Sequence, residues 1–223
     1  MNKNNQTNNN FLKAVSTFFK DNLKALIISL AVIFLIFIGY QGYSYYNIDK
    51  LNNLSISYFK NIEIDDELIS LSELESISKQ NSFYSILSKL NLINKFIDKN
   101  EFDKSIELYN EILSSKDLDK NYISIVAIKG AYQFIDIVIK NNNNKYINDI
   151  NNFISLIDEN FDNYIGSKNE LLYLSSILSL NDDSSYKNNS EILTLYENMM
   201  NNEKISSTIK ERVKKIHEFY IFI

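Results

Sequence analysis

The sequence predicts an all-α protein: an N-terminal transmembrane helix followed by a run of helical hairpins. Three observations predict it. Leu23–Tyr46 is apolar almost throughout, with Lys24 its one charge and nothing charged again until Asp49. The 223 residues hold no proline and four glycines, so the tight turns of β-sandwiches and barrels, and Gly-rich phosphate cradles, are scarce. Elsewhere apolar residues recur at helical spacing with short polar breaks between the runs. The expected boundaries are a tail over 1–22, a transmembrane helix over 23–46 and a helical domain over 47–223, long enough for a core of its own.

Residues 1–10 are polar and of low complexity, which predicts disorder. Phe11, Leu12, Val15, Phe18 and Phe19 then share one helical face, with Lys13 and Lys20 off it. That fits a short amphipathic helix on the inner leaflet or the first turns of the span. The strict apolar core, Ala25–Tyr40, has 16 residues and its neutral flanks extend it to 24; a span needs about 20. A cleaved signal would end in a small-residue site. Gly39-Tyr-Gln-Gly-Tyr-Ser-Tyr-Tyr46 offers none, so an uncleaved anchor is expected. Phe18, Phe19, Lys20 and Lys24 at one end, and Tyr40, Tyr43, Tyr45 and Tyr46 at the other, suit the membrane–water interface. Four lysines precede the core, and only Lys50 and Lys60 follow closely, so the N-terminus is expected in the cytoplasm and the C-terminal part across the membrane. No later run is apolar for long enough to predict a second span.

Past the anchor, Ile48, Leu51, Leu54, Ile56 and Phe59 continue a helix. Asp65-Asp66 starts the next, with Leu68, Ile69, Leu71 and Leu74 on its apolar side. Ser82 is the expected N-cap of Phe83–Asp98, whose stripe is Phe83, Ile86, Leu87, Leu90, Ile93, Phe96 and Ile97. Asp98–Asn100 is the turn into Glu101–Ser115, with Phe102, Ile106, Tyr109, Ile112 and Leu113. Tyr122–Lys140 follows, where Gly130 and Ala131 allow a neighbour to approach, then a turn at Asn141–Asn144. Tyr146–Ile157 returns with Ile147, Ile150, Phe153, Ile154 and Ile157 inward. Ser167–Leu180 and Ser190–Met200 form the next pair, joined by a polar linker at 181–189. Ser206–Tyr220 closes the chain, with Ile209, Val213 and Ile216 facing the stack as a capping helix should.

Composition narrows the chemistry. There is no cysteine, which excludes disulfides and thiolate sites, and one histidine, His217, which makes a His-built metal site or a Ser–His–Asp triad improbable. No catalytic, cofactor or metal residues are expected and the chain reads as non-enzymatic. Residues 1–24 carry four lysines against Asp21, so of the overall −5 about −8 falls on 47–223. An acidic body disfavours nucleic acid. Asp65, Asp66 and Glu67, and Asp182 with Asp183, lack calcium-loop spacing and read as capping or solvated groups. Lys210, Arg212, Lys214 and Lys215 read as a solvated face, and His217 as a cation near the last helix end. The tyrosines (Tyr84, Tyr109, Tyr122, Tyr132 and Tyr173 among them) read as packing. The 33 asparagines read as the mark of an AT-rich genome.

One hairpin resembles the tetratricopeptide repeat. Leu92 and Phe96 supply its first apolar and aromatic positions, Asn100-Glu101-Phe102 its turn, Ser105 its small residue and Tyr109 its second aromatic. Ile112 stands where a final small residue is usual, and Asp117 where proline is. The implied fold is a tetratricopeptide-like hairpin solenoid, with Leu92, Phe96, Phe102, Ser105, Tyr109 and Ile112 packing the repeat. The start of the chain, Phe18-Phe19-Lys-Asp-Asn-Leu-Lys-Ala-Leu26 followed by Gly39-Tyr40 and Tyr45-Tyr46, resembles the ancillary SecYEG translocon subunit family. Lys168-Asn-Glu-Leu-Leu172, Ile192–Met200 and Ile209-Lys-Glu-Arg-Val213 are similar to its alphaproteobacterial members, although the Ala, Gly and Pro richness of the family is missing. The resemblance implies a single-pass inner-membrane protein whose periplasmic domain binds translocon subunits, envelope chaperones or emerging polypeptides. A scaffold for envelope assembly or division complexes is the alternative.

Overall fold

A computed structural model describes residues 17–18, 20–64, 66–180 and 183–222. The expectations placed on Phe11, Leu12, Lys13, Val15, Phe19, Asp65 and Asp182 lie outside the described residues. The described residues are mainly helical, with nine α-helices, two short 3-10 turns and no strand among them. Internal contacts divide the chain into two compact units, Met1–Ile64 and Asp65–Ile223.

The first unit is built on α1, Leu23–Ile62, a single helix of 40 residues. Its most apolar window has a mean hydropathy of 2.5 and no buried residue. It is long and apolar enough to span a membrane, consistent with membrane anchoring. Inside it the Ser29 hydroxyl donates to the carbonyl of Leu26 at 2.9 Å, so its polar group is satisfied within the helix.

In the second unit, α2 (Glu67–Ser78) starts where the Asp66 side chain accepts from the amides of Leu68 and Ile69, at 3.0 and 3.2 Å. Its buried face is Ser70, Leu74, Ile77 and Ser78, while Leu68 is 78% exposed and Ile69 also faces outward. The expected apolar side is therefore rotated. Small serines sit on the inner face, and the Ser85 hydroxyl of the next helix donates to the carbonyl of Ser78 at 2.7 Å. Helix α3 (Phe83–Asp98) is capped by Ser82, which accepts from the Ser85 amide at 3.2 Å. It ends in a Schellman motif: Asn100 takes φ 60°, the Glu101 amide reaches the carbonyl of Phe96 at 2.8 Å, and the Asn100 amide that of Ile97 at 2.9 Å. Helix α4 (Phe102–Leu113) nests on α3 through Ser105, fully buried, whose hydroxyl reaches the carbonyl of Ile93 at 3.3 Å.

Helix α5 (Lys120–Asn141) also has the length and apolarity of a span, but half of its window is buried and it packs on α4, α6 and α7. It is a core helix. A Cβ at Gly130 would lie 3.1 Å from Phe153 and 3.2 Å from Tyr109, the close approach the sequence predicts. Asn142, at φ 46°, repeats the Schellman ending, its neighbour Asn143 donating to the carbonyl of Val138 at 3.3 Å. A 3-10 turn (Asn144–Tyr146) leads into α6 (Ile147–Ser155), then α7 (Asp162–Leu178). A second 3-10 turn, Asp183–Asn188, precedes α8 (Ser190–Asn201) and α9 (Ser207–Phe222). Each helix from α2 packs on the next, and α7 also packs on α9.

Two hydrophobic clusters result. The larger surrounds Tyr109, Phe134 and Phe153, whose rings meet at 5.4–6.2 Å, with Tyr146 at 5.3 Å from Phe134. The Tyr109 hydroxyl donates to Gln133. The smaller holds Tyr173, Tyr186, Ile192, Met199 and Val213. Tyr186 comes from the segment the sequence presents as a polar linker.

Candidate functional site

A groove of about 860 Å³ is bounded by the C-terminal end of α2, α3, α4 and the segment leading into α5. Its floor is apolar: Leu92 and Phe96 from α3 and Ile112 from α4, all buried. Three residues expected to pack the repeat thus also form a surface. The α2–α3 turn is held by the Ser82 cap and the Ser85–Ser78 bond, which fix one wall. At another edge Phe83 meets Tyr122 edge-on, 6.4 Å between centroids. Charge lies on the rim. Lys89 of α3 pairs with Glu111 of α4 at 2.7 Å, and Glu75, Asp117 and Asp119 add further carboxylates against one further cation, Lys79. Asp119 also caps α5 by accepting from the Asn121 amide at 2.8 Å. An apolar floor under a largely acidic rim suits a segment of mixed apolar and basic side chains.

The other repeat-packing residues lie close by. Tyr109 and Ser105 are fully buried, and Phe102 is half-buried against Tyr146, 6.1 Å ring to ring. The membrane-interface residues belong to the other unit. Phe18, Lys20 and Lys24, and at the far end Tyr40, Tyr43, Tyr45 and Tyr46, are all exposed. From Lys24 to Tyr43 the helix rises about 28 Å, close to the roughly 30 Å of a hydrocarbon layer.

Two buried polar networks were not visible in the sequence. Glu170 of α7 is 3% exposed. Its carboxylate accepts from Arg212 Nε at 2.8 Å and Nη2 at 2.5 Å, and from the Tyr132 hydroxyl at 2.6 Å. Arg212 stays on the expected solvated face, half exposed, but its guanidinium is engaged by a buried carboxylate, which raises its pKa further. Burial, then Glu170, pushes the Tyr132 phenol up. The second network is a chain of rings. The Tyr173 and Tyr186 hydroxyls are 2.7 Å apart, and Tyr186 lies 2.6 Å from His217 Nδ1. His217 also stacks on Tyr196, 3.8 Å between centroids at 8°. Burial lowers its pKa, which corrects the expectation of a cation. Since α9 runs to Phe222, His217 sits more than a turn short of the helix end and gains little from the terminal carbonyls.

Asp66 and Glu67 act as the sequence suggests, the first as a cap and the second paired with Lys99 at 2.9 Å. Among the described residues no group of three His, Asp or Glu side chains is placed to hold a metal. A smaller apolar pocket of about 340 Å³ lies between α5, α7 and α9, lined by Ile139, Leu174, Ile177, Ile216 and Phe219 with Lys215 at its side. Set against known protein families, curated proteins and solved structures, the chain matches none of them.

Proposed function

We propose that this protein is a non-catalytic, membrane-anchored protein-binding module. In this reading α1 is a single span with its N-terminus in the cytoplasm, and the helical unit works in the periplasm at or near the secretion translocon. There it contacts emerging chains or their chaperones. The observation that carries it is α1 itself: an exposed helix whose apolar window has a mean hydropathy of 2.5, attached to a separate helical unit. The helix order supports a tetratricopeptide-like hairpin stack, since α5 packs on both α6 and α7, and α7 on both α8 and α9. The groove supplies an apolar floor and acidic rim for an extended segment. Tethering raises the effective concentration of such a site, so weak contacts suffice.

The test is co-purification of the tagged full-length chain from membranes in mild detergent. Translocon subunits or envelope chaperones are the expected partners, and recovery without either overturns the assignment to the translocon. One observation favours a scaffold instead: the apolar side chains that α1 still exposes beyond the span, such as Ile56 and Phe59. Exchanging Leu23–Tyr46 for an unrelated span separates the two readings. Function that survives the exchange belongs to the helical unit.

A further inference from the structure

At about 1.5 Å per residue the 40 residues of α1 reach about 60 Å, roughly twice the hydrocarbon thickness. The part from Tyr45 to Ile62 therefore runs on past the span. Lys50, Asn53, Ser57 and Lys60 share one face, with Asn53 donating to Asp49 at 3.2 Å. The opposite face carries Tyr45, Ile48, Asn52, Ser55, Phe59 and Ile62, separated alternately by three and four residues. That is heptad spacing. Tyr45 is 74% exposed, Ile48 56%, Phe59 52% and Ile62 50%, and Leu51 and Ile56 widen the apolar arc on its two flanks. An apolar face of this size on a soluble part of a protein marks an interaction surface.

We infer that this face pairs with the same face of a second copy, forming a parallel two-helix coil that continues out of the membrane. Three features select a second copy. A single span orients every copy alike, so a parallel, in-register pair sets each seam position opposite itself. The seam carries no charge, Asp49, Lys50 and Lys60 all lying off it, so identical copies meet without repulsion. Asn52 falls at a core heptad position, where a lone Asn pairs with its own counterpart and sets register and two-strandedness. Confinement of both copies to one bilayer raises their effective concentration, which lets a seam of fewer than three heptads suffice. The inference shares with the proposed function only the reading of α1 as a span. Resistance to alkaline extraction tests that reading separately, so the two fail distinguishably.

The chain has no cysteine, so single cysteines report cleanly. They are placed one at a time along Tyr45–Ile62 of the full-length protein and oxidised in intact membranes. The expected result is a disulfide-linked homodimer whose yield peaks at Ile48→Cys, Asn52→Cys, Ser55→Cys and Phe59→Cys. It falls at Lys50→Cys, Asn53→Cys, Ser57→Cys and Lys60→Cys. Adding Ile48→Lys to Asn52→Cys should then abolish the crosslink at 52. A profile without this period, the absence of homodimer at every position, or seam adducts formed only with a different protein would each overturn the inference.

Discussion

At the scale of single residues, the four glycines and many asparagines divide a task that glycine usually performs alone. Asn100 and Asn142 take the left-handed conformation that ends α3 and α5, because Asn bears that conformation with less strain than other side chains. The abundance of Asn read as genome composition, and at these two sites it also has a structural use that composition alone could not reveal. Of the four glycines, Gly130 and Gly166 sit where space is short, and these two should respond oppositely to alanine. At Gly130 the new methyl meets two fully buried rings at 3.1–3.2 Å. Overpacking of about 1–3 kcal/mol then outweighs a helix-propensity gain of about 1 kcal/mol. At Gly166 the one close approach is to the Cδ1 tip of Ile209, at 2.8 Å, which can rotate aside, and Ile205 Cγ2 at 3.8 Å is in ordinary contact, so Gly166→Ala should raise the melting temperature by about 2–4 °C while Gly130→Ala lowers it. Circular dichroism melts of the two variants check this. His217 supplies the pH dependence. Burial holds its pKa below 6.5, so the unfolded chain binds the proton more tightly than the folded one. Stability should be full above that value and decline as pH falls through the folded pKa. The lowered carboxylates Glu67 and Asp103 start from 4.5 and 3.8 and act only in more acid solution. Urea unfolding between about pH 7.5 and 5.5 should show the decline, and His217→Gln should flatten it.

At the scale of elements, one buried carboxylate ties three helices together: Tyr132 on α5, Glu170 on α7 and Arg212 on α9. Removing one partner of a buried ion pair leaves a charge that water cannot reach. Arg212→Met should therefore cost about 3 kcal/mol, the lower end of the usual range because the arginine is partly exposed. Glu170→Leu in the same chain should restore most of that loss, since the apolar pair no longer buries a charge. Urea midpoints of the single and double variants decide it, and a double variant as unstable as Arg212→Met would show that the network does more than neutralise itself. None of this was legible in the sequence. Glu170 and Arg212 stand 42 residues apart, and a pairing across that separation leaves no local pattern. Local signals were readable: the Ser82 cap, the small contact at Gly130, and the apolar stripe of α6, whose Ile150, Phe153 and Ile154 are all buried. The side of α2 was only partly read: Leu74 is buried as expected, but Ser70 and Ser78 share the inner face where α3 comes close, and Leu68 and Ile69 turn outward. Tyr186 was missed because a single ring in a polar segment has no period, and only the fold brings it to Tyr173 and His217. The groove was half legible, since its floor residues were singled out for packing while its acidic rim depends on how α2 and the α4–α5 segment are placed.

At the scale of the whole molecule, the contact division falls just past the end of α1, between Ile64 and Asp65, and both hydrophobic clusters lie wholly on the C-terminal side. Helix α7 gives Leu171 to the larger cluster and Tyr173 and Ile177 to the smaller. The two cores therefore share a rigid element and should unfold together rather than one after the other. Residues 65–223, 159 in all, are within the size at which one core sustains an independent fold. A chain consisting of Asp65–Ile223 should accordingly remain in solution and melt in one cooperative transition that circular dichroism and near-ultraviolet tyrosine signals report at the same temperature. The full chain should stay with the membrane through alkaline extraction, because only it carries the apolar window of α1. Aggregation of the shortened chain, or two separate transitions, would mean that the helical unit depends on α1 for its folding. Soluble, cooperative behaviour would mean that α1 acts as address and tether while the groove belongs to a self-sufficient unit, so that partner binding can be measured on that unit alone.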